Sequence, residues 1–286
     1  MSPLPGPQLP WPAMRRPLSI VAFGNSVSTL QQPFRTDRSQ GSFAEVLADL
    51  LGGEGVPTAL HLESRWFDFL HRAMRHFDER VRAHAPDVLI IQFGINECQP
   101  WLAPVWLIRH LLVQNQATTR AGRAYRKHVA PGLWKVLRGY RTRVAPLVGL
   151  RTWQTTPYRF ERQLERCVRN ARVEGRPLVL VFDLDAPNDR LEHFLPGLGR
   201  RRAVFQEIVD RVVRRQDDDE VRLFRVSEVT GPGGPGTTTD GLHYPPATHE
   251  VIGRLLNEEV IGWLRERGER EGRPPTALAE NEGHRR

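Results

Sequence analysis

Five short, nearly uninterrupted apolar runs, at 18–23, 58–62, 88–93, 178–182 and 221–226, alternate with stretches whose apolar residues recur at helical spacing. A strand covered on one face alternates apolar with polar side chains, whereas a strand apolar along its length belongs in a parallel sheet buried on both faces. The intervening stretches supply the cover. Phe43, Val46, Leu47, Leu50 and Leu51 mark one helical stripe, and Phe67, Leu70, Met74, Phe77 and Val81 a second. Residues 203–213 and 251–264 read as two more. Strands alternating with helices impose right-handed crossovers, so the expected fold class is α/β, a doubly wound parallel sheet of about five strands. Such sheets gather ligands at the C-terminal ends of their strands, which is where chemistry is expected.

Of the 286 residues, 40% are hydrophobic and 26% charged, which excludes a disordered or collagen-like chain and allows a substantial core. No apolar run approaches the roughly 20 residues of a membrane span. The run that follows Arg15 and Arg16 is too short for a signal peptide and lacks a small-residue cleavage site, so a cytoplasmic protein is expected. Cys98 and Cys167 stand in no metal-binding or redox spacing, and neither a structural disulfide, a metal nor a cofactor is expected.

Residues 1–17 hold six prolines and no periodicity, and read as a flexible leader or an arm laid on the surface. Residues 266–286 are charged and polar, and read as a disordered tail. The folded part is then 18–265, interrupted by an insertion at 99–158 that is far longer than an ordinary strand-to-helix connection. Between Glu97 and Glu161 there is no acidic residue but 11 Arg and Lys, so the net charge of +8 becomes −3 for the remainder. Trp101, Trp106, Trp134, Trp153, Tyr125 and Tyr140 are interleaved, with helical stretches at 105–113 and 133–137. Leaving the end of the third strand, this insertion is expected to cap the site. Its field suits an anionic partner: a phosphorylated or acidic substrate, an acyl carrier, an acidic polysaccharide, an anionic lipid surface or nucleic acid. A solvated, arginine-biased cap explains the charge equally well. No nucleic-acid motif accompanies it, so sequence-specific nucleic-acid binding is not expected.

Three short motifs fall where strands end. Gly24-Asn25-Ser26 follows the first run and sets a serine at a strand-to-helix turn, where it serves as a helix cap or as a nucleophile beside a helix-start N–H. Gly94-Ile95-Asn96-Glu97 follows the third and offers a side-chain amide, a turn residue or a donor to an oxyanion. Asp240-Gly241-Leu242-His243 places a carboxylate three residues before an imidazole, spacing that lets the acid hold one ring nitrogen while the other faces a serine. In this order, and over about residues 18–265, the three motifs resemble the blocks of the SGNH hydrolase family, the GDSL-like esterases and lipases. That resemblance implies a flavodoxin-like, SGNH-type sheet. It also implies Ser26 as nucleophile, His243 as general base and acid, Asp240 as its orienting partner, and an oxyanion hole from the Ser26 N–H and Asn96.

The chain departs from the family at three places. Asn25 and Glu97 stand where the family has Asp, and with Trp101 they are expected to face substrate. The second block lacks its glycine: His61-Leu62-Glu63-Ser64-Arg65-Trp66 contains none, which leaves the main-chain N–H of Ser64 or Arg65 as the expected third oxyanion donor. Trp101 and Trp106 with Leu102 and Leu107 form an acyl channel or simple cap packing. The implied activity is a serine esterase or deacylase acting on a carboxylic ester of a small molecule, lipid or saccharide. The alternatives are an acyltransferase using the same triad, or a non-catalytic module that binds an anionic ligand. Asp183 and Asp185, after the fourth run, read as turn and helix-cap residues or as a carboxylate pair for a divalent cation. His71, His76 and His84 read as a solvated helix face, and Cys98 as a small residue buried beside the site.

Overall fold

The computed structural model describes residues 16–28, 41–65, 68–99, 120–143, 155–173, 175–185, 188–195, 197–231, 236–237 and 241–270. Its centre is an all-parallel sheet of β1 (Leu18–Asn25), β2 (Thr58–Arg65), β3 (Val88–Gln92), β4 (Leu178–Phe182) and β5 (Val221–Phe224), in the order β2-β1-β3-β4-β5. Every residue of β1, β3 and β4 is buried, as continuous apolar runs require of inner strands, while the edge strands β2 and β5 keep partly exposed positions. The order reverses at β1, so the crevice between the ends of β1 and β3 is the topological switch point.

Helices cover both faces. In chain order they are α1 (Phe43–Gly53), α2 (Leu70–Ala73), α3 (Phe77–Arg80), α4 (Ile95–Cys98), α5 (Arg120–His128), α6 (Ala130–Arg143), α7 (Pro157–Arg172), α8 (Asp189–Phe194), α9 (Leu198–Arg214), α10 (Val226–Thr230) and α11 (Pro246–Arg270). α1 packs on α11, while α7 packs on α2 and α9, so right-handed crossovers assign the two groups to opposite faces. Local sequence sets the starts of several helices. Thr156 accepts from the Arg159 N–H at 3.2 Å with Pro157 as the first helical residue of α7, and Asn188 accepts from the Leu191 N–H at 2.8 Å at α8. Stacked and edge-on rings of Phe43, Phe182 and Phe224, and of Phe23, Phe77 and Phe93, fill the layers between helices and sheet.

Two boundaries differ from expectation. The stripe at 67–81 is not one helix: a 3-10 turn, Met74–His76, separates α2 from α3, and Arg80 lies buried in company with Phe77 and Val81. The expected tail begins as helix, since α11 continues to Arg270; Arg222 donates to Glu266 at 2.6 Å and Arg267 lies over the Trp263 ring, which holds this last turn on the body. At the other end Arg16 grips Asp87 with two 2.8 Å hydrogen bonds, so the end of the expected leader is laid against the start of β3. Within the insertion, the stretch at 133–137 lies inside α6, which contacts α8 after β4, and the stretch at 105–113 lies outside the described residues. No helix among the described residues is long and apolar enough to cross a membrane.

Candidate active site

β1 ends at Asn25 and the chain turns at once into a single 3-10 turn, Ser26–Ser28. The turn is built from side chains. Asn25 Oδ1 accepts the Val27 N–H at 3.0 Å, and the Ser28 hydroxyl donates to Gln92 Oε1 at 2.8 Å, which joins the turn to the end of β3. A Cβ on Gly24 would stand 2.3 Å from Ser28 Oγ and 3.0 Å from the Gln92 carbonyl, so only glycine lets the turn close this tightly. Ser26 Oγ, partly screened by this packing, is 3.2 Å from His243 Nε2. That distance suits a hydroxyl donating to a neutral imidazole.

The end of β3 carries the second element. Gly94 takes φ +119°, a conformation that L side chains rarely adopt, and Leu184 packs where its Cβ would be. Glu97, at the third position of α4, reaches back to accept the Gly94 N–H at 2.9 Å, half of a capping box, and its other oxygen accepts the Leu70 N–H at 2.6 Å. Asn96 is thereby held at the crevice, with its amide donating to the Asp68 carbonyl at 3.1 Å. Asp68 is fixed in turn by Arg80, whose guanidinium donates to its carboxylate at 2.7 Å and to Glu63 Oε2 at 3.2 Å while lying over the Phe23 ring. Burial lifts the Glu97 carboxyl to about 7 despite its two main-chain donors.

The third element is the loop bearing His243. Its neighbour Tyr244 is fully buried; the phenol donates to Asp185 Oδ2 at 2.5 Å and receives the Gln92 amide. Thr230 donates to the other Asp185 oxygen at 2.5 Å. Burial raises the Asp185 carboxyl to about 6 and carries the Tyr244 phenol well above its ordinary value. Behind the loop, His249 Nδ1 accepts the Phe43 N–H at the start of α1. Burial, followed by nearby His243, depresses this imidazole to about 3, so it is a neutral structural group.

The expected site residues thus separate. Ser26 and His243 meet at the end of β1, and Asn96 stands just past the end of the neighbouring β3; Asp240 and Trp101 lie outside the described residues. Asn25 and Glu97 do not face substrate: both are fully buried, and their oxygens are committed to main-chain N–H groups of the two turns. Ser64 does not emerge from the sheet either, because β2 runs on to Arg65, Ser64 pairs with Gly24, and its hydroxyl donates to the Ala22 carbonyl at 3.3 Å. Asp183 accepts the N–H and hydroxyl of Ser227 at the start of α10, and Asp185 is taken by Thr230 and Tyr244, so both aspartates brace neighbouring segments. Among the described residues no three metal-ligating side chains gather. The histidines are not one solvated face: His76 is exposed, His84 stacks on His61 at 3.9 Å, and His71 is half-buried. Cys98 is buried with its thiol raised to about 12, and neither cysteine is in a disulfide.

Sequence reasoning missed Gln92, Asp68, Arg80 and Tyr244 as parts of the site. Gln92 was detectable as a polar residue closing an otherwise apolar inner strand. Arg80 and Asp68 are distant in sequence and meet only through the break between α2 and α3.

A 2-1-3-4-5 parallel sheet with a serine turn after its first strand, an asparagine turn after its third and a histidine before its last helix has the SGNH hydrolase fold. Solved structures of that fold match most of the chain. A lipase/acylhydrolase from Enterococcus faecalis matches with TM-score 0.57 at 15% identity, over 86% of this chain and 96% of that one. Est24, a carbohydrate acetylesterase from Sinorhizobium meliloti, matches with TM-score 0.52 at 14% identity, over 86% and 99%. The psychrotrophic esterase EstA from Pseudoalteromonas sp., inhibited by monoethylphosphonate, matches with TM-score 0.52 at 12% identity, over 86% and 98%. No protein-family model and no curated protein matches the sequence.

Proposed function

We propose that the protein is a serine hydrolase of carboxylic esters. The observation that carries this reading is the 3.2 Å approach of His243 Nε2 to Ser26 Oγ at the end of β1 in an SGNH-type sheet, with Asn96 just past the end of the neighbouring β3. Ser26 Oγ attacks the ester carbonyl carbon as His243 Nε2 takes its proton, and the carbonyl oxygen becomes an oxyanion met by the Ser26 N–H and the Asn96 amide. The C–O bond to the alcohol then breaks, the proton passes from His243 to the departing oxygen, and the acyl group stays on Ser26. Water repeats the sequence and frees the acid. In this reading Asp240 orients His243, a role that rests on the resemblance alone. The fold neighbours include a lipase/acylhydrolase and a carbohydrate acetylesterase, which supports an ester on a small molecule, lipid or saccharide as substrate class.

The test is intact-mass labelling with a fluorophosphonate, a probe suggested by the phosphonate inhibition of EstA. One adduct per chain is expected on the wild type, none on Ser26→Ala, and slower labelling on His243→Ala, with circular dichroism confirming that each variant is folded. A folded wild type that takes no label under any condition would sink the reading.

A further inference from the structure

A cleft of about 600 Å³ opens between the α2–α3 segment and α7, and none of Ser26, Asn96 and His243 lines it. Its walls are cationic. Arg75 and Arg82 come from one side, Arg159 and Arg166 from the other, and the carboxylate in the lining, Asp78, already pairs with Arg82 at 2.8 Å. Several other arginines on the described surface are paired. Arg172 meets Asp218 and Glu220, Arg211 and Arg215 share Glu161, and Arg222 takes Glu259 and Glu266. Arg75, Arg159 and Arg166 have no carboxylate partner among the described residues, although they share one concavity.

The uncompensated charge is felt by His71 in the same lining. Burial, then Arg159, Arg72 and Arg75, depress this imidazole to about 4, so it stays neutral and is not a fifth cation. Its Nδ1 is buried and finds no hydrogen-bond partner among the described residues. Guanidinium forks flanking an open volume match the tetrahedral oxygens of a phosphate better than a lone carboxylate, because each fork can present two parallel N–H groups. The volume also exceeds what inorganic phosphate fills, leaving room for an organic substituent.

The geometry points to a phosphate-binding site in this cleft, in which Arg75, Arg159 and Arg166 hold the phosphate group of a small phosphate ester. The site is separate from the serine crevice but mechanically close to it. His71 directly follows Leu70, whose N–H donates to Glu97 beneath the Asn96 turn. The proposal does not depend on the esterase reading, since the cleft exists whether or not Ser26 is acylated.

The phosphate has two sources, a soluble monoester and a lipid headgroup, and two probes separate them: glycerol 3-phosphate by titration calorimetry at low salt, and sedimentation with phosphatidylglycerol or phosphatidylcholine vesicles. The full chain is compared with Arg159→Gln/Arg166→Gln, with Arg200→Gln/Arg265→Gln, at two exposed positions outside the cleft, as a charge-matched control, and with Ser26→Ala. Saturable binding of glycerol 3-phosphate, weakened at least about tenfold in the double variant and unchanged in the other two, supports a soluble ligand. Binding confined to phosphatidylglycerol vesicles, with the same pattern among variants, supports the headgroup. No binding of either probe, or equal weakening by Arg200→Gln/Arg265→Gln, overturns the proposal.

Discussion

The Tyr244 hydroxyl donates to Asp185 Oδ2 at 2.5 Å, one residue beyond His243 in the chain. Through it a buried polar relay spans the site: Ser28 donates to Gln92, Gln92 donates to Tyr244, and Asp185 also receives Thr230 of α10. The turn carrying Ser26, the end of β3 and the loop carrying His243 are therefore tied to one another inside the protein, behind the Ser26–His243 contact.

Removing the phenol oxygen should loosen all three attachments. In Tyr244→Phe the Asp185 carboxylate and the Gln92 amide both lose a buried partner, a loss worth about 1–3 kcal/mol of stability. Fluorophosphonate labelling of Ser26 should slow in parallel, because His243 is no longer held at its 3.2 Å contact. Urea unfolding and labelling rates check this; a variant unchanged in both would show that the relay positions nothing.

The oxyanion role assigned to Asn96 makes a different prediction. Asn96→Ala should reduce kcat on an activated ester by about 100- to 1000-fold with little change in KM, since the donor acts on charge that develops only in the transition state. The variant also gives up its bond to the Asp68 carbonyl, so unfolding should be measured alongside to show that the protein remains folded at the assay temperature. A fall in affinity with unchanged kcat would reassign Asn96 to substrate binding.

Arg80 tests how Asn96 is held. It is among the most buried charged residues, and its partners Asp68 and Glu63 lie on the segment that Asn96 touches. Arg80→Ala leaves a buried carboxylate without its counter-ion and should cost about 3–5 kcal/mol. Asp68→Asn keeps a side-chain oxygen that can accept from Arg80 and leaves the contacts of Arg80 with Glu63, so it should disturb the main chain that receives Asn96, and kcat, less than Arg80→Ala does. Equal losses of kcat in both variants would mean that the charge of Asp68, not the packing of Arg80, holds that segment.

The fold was legible because burial on two faces makes inner strands apolar throughout, and β1, β3 and β4 carry that pattern without a break. The meeting of Ser26 and His243 was legible for a related reason: one follows the first strand and the other precedes the last helix, and the topology brings them within 3.2 Å. Asn25 and Glu97 are not the expected substrate contacts, because a polar residue beside a strand-end motif looks the same in sequence whether it points outward or closes a turn. Ser64 was misplaced by assuming that β2 ended before it. Arg80 was hidden because a charge in a helical stripe normally faces water, and only the 3-10 turn at Met74–His76, which periodicity does not show, accompanies its inward position.

Glu97 carries a pH signature of its own. Its carboxyl moves from an ordinary 4.5 to about 7 in the folded state, chiefly through burial, so the native protein holds a proton that the unfolded chain has released across that interval. Stability from this group is full below about pH 4.5 and is lost as pH rises through 7. Asp185, raised from 3.8 to about 6, adds the same sign slightly lower in pH. His249 and His71, depressed to about 3 and about 4, act with the opposite sign over much of the same interval, so the Glu97 contribution is read from urea unfolding as the difference between the wild type and Glu97→Gln across about pH 4.5 to 8. Glu97→Gln supplies one acceptor where two N–H donors need two, so it should be less stable at pH 5, by about 1–3 kcal/mol. Its pH curve should lack the Glu97 decline, so the gap to the wild type narrows by about pH 8. Parallel curves would mean that the Glu97 carboxyl is ionised throughout and stabilised by the Leu70 and Gly94 N–H groups more strongly than burial penalises it.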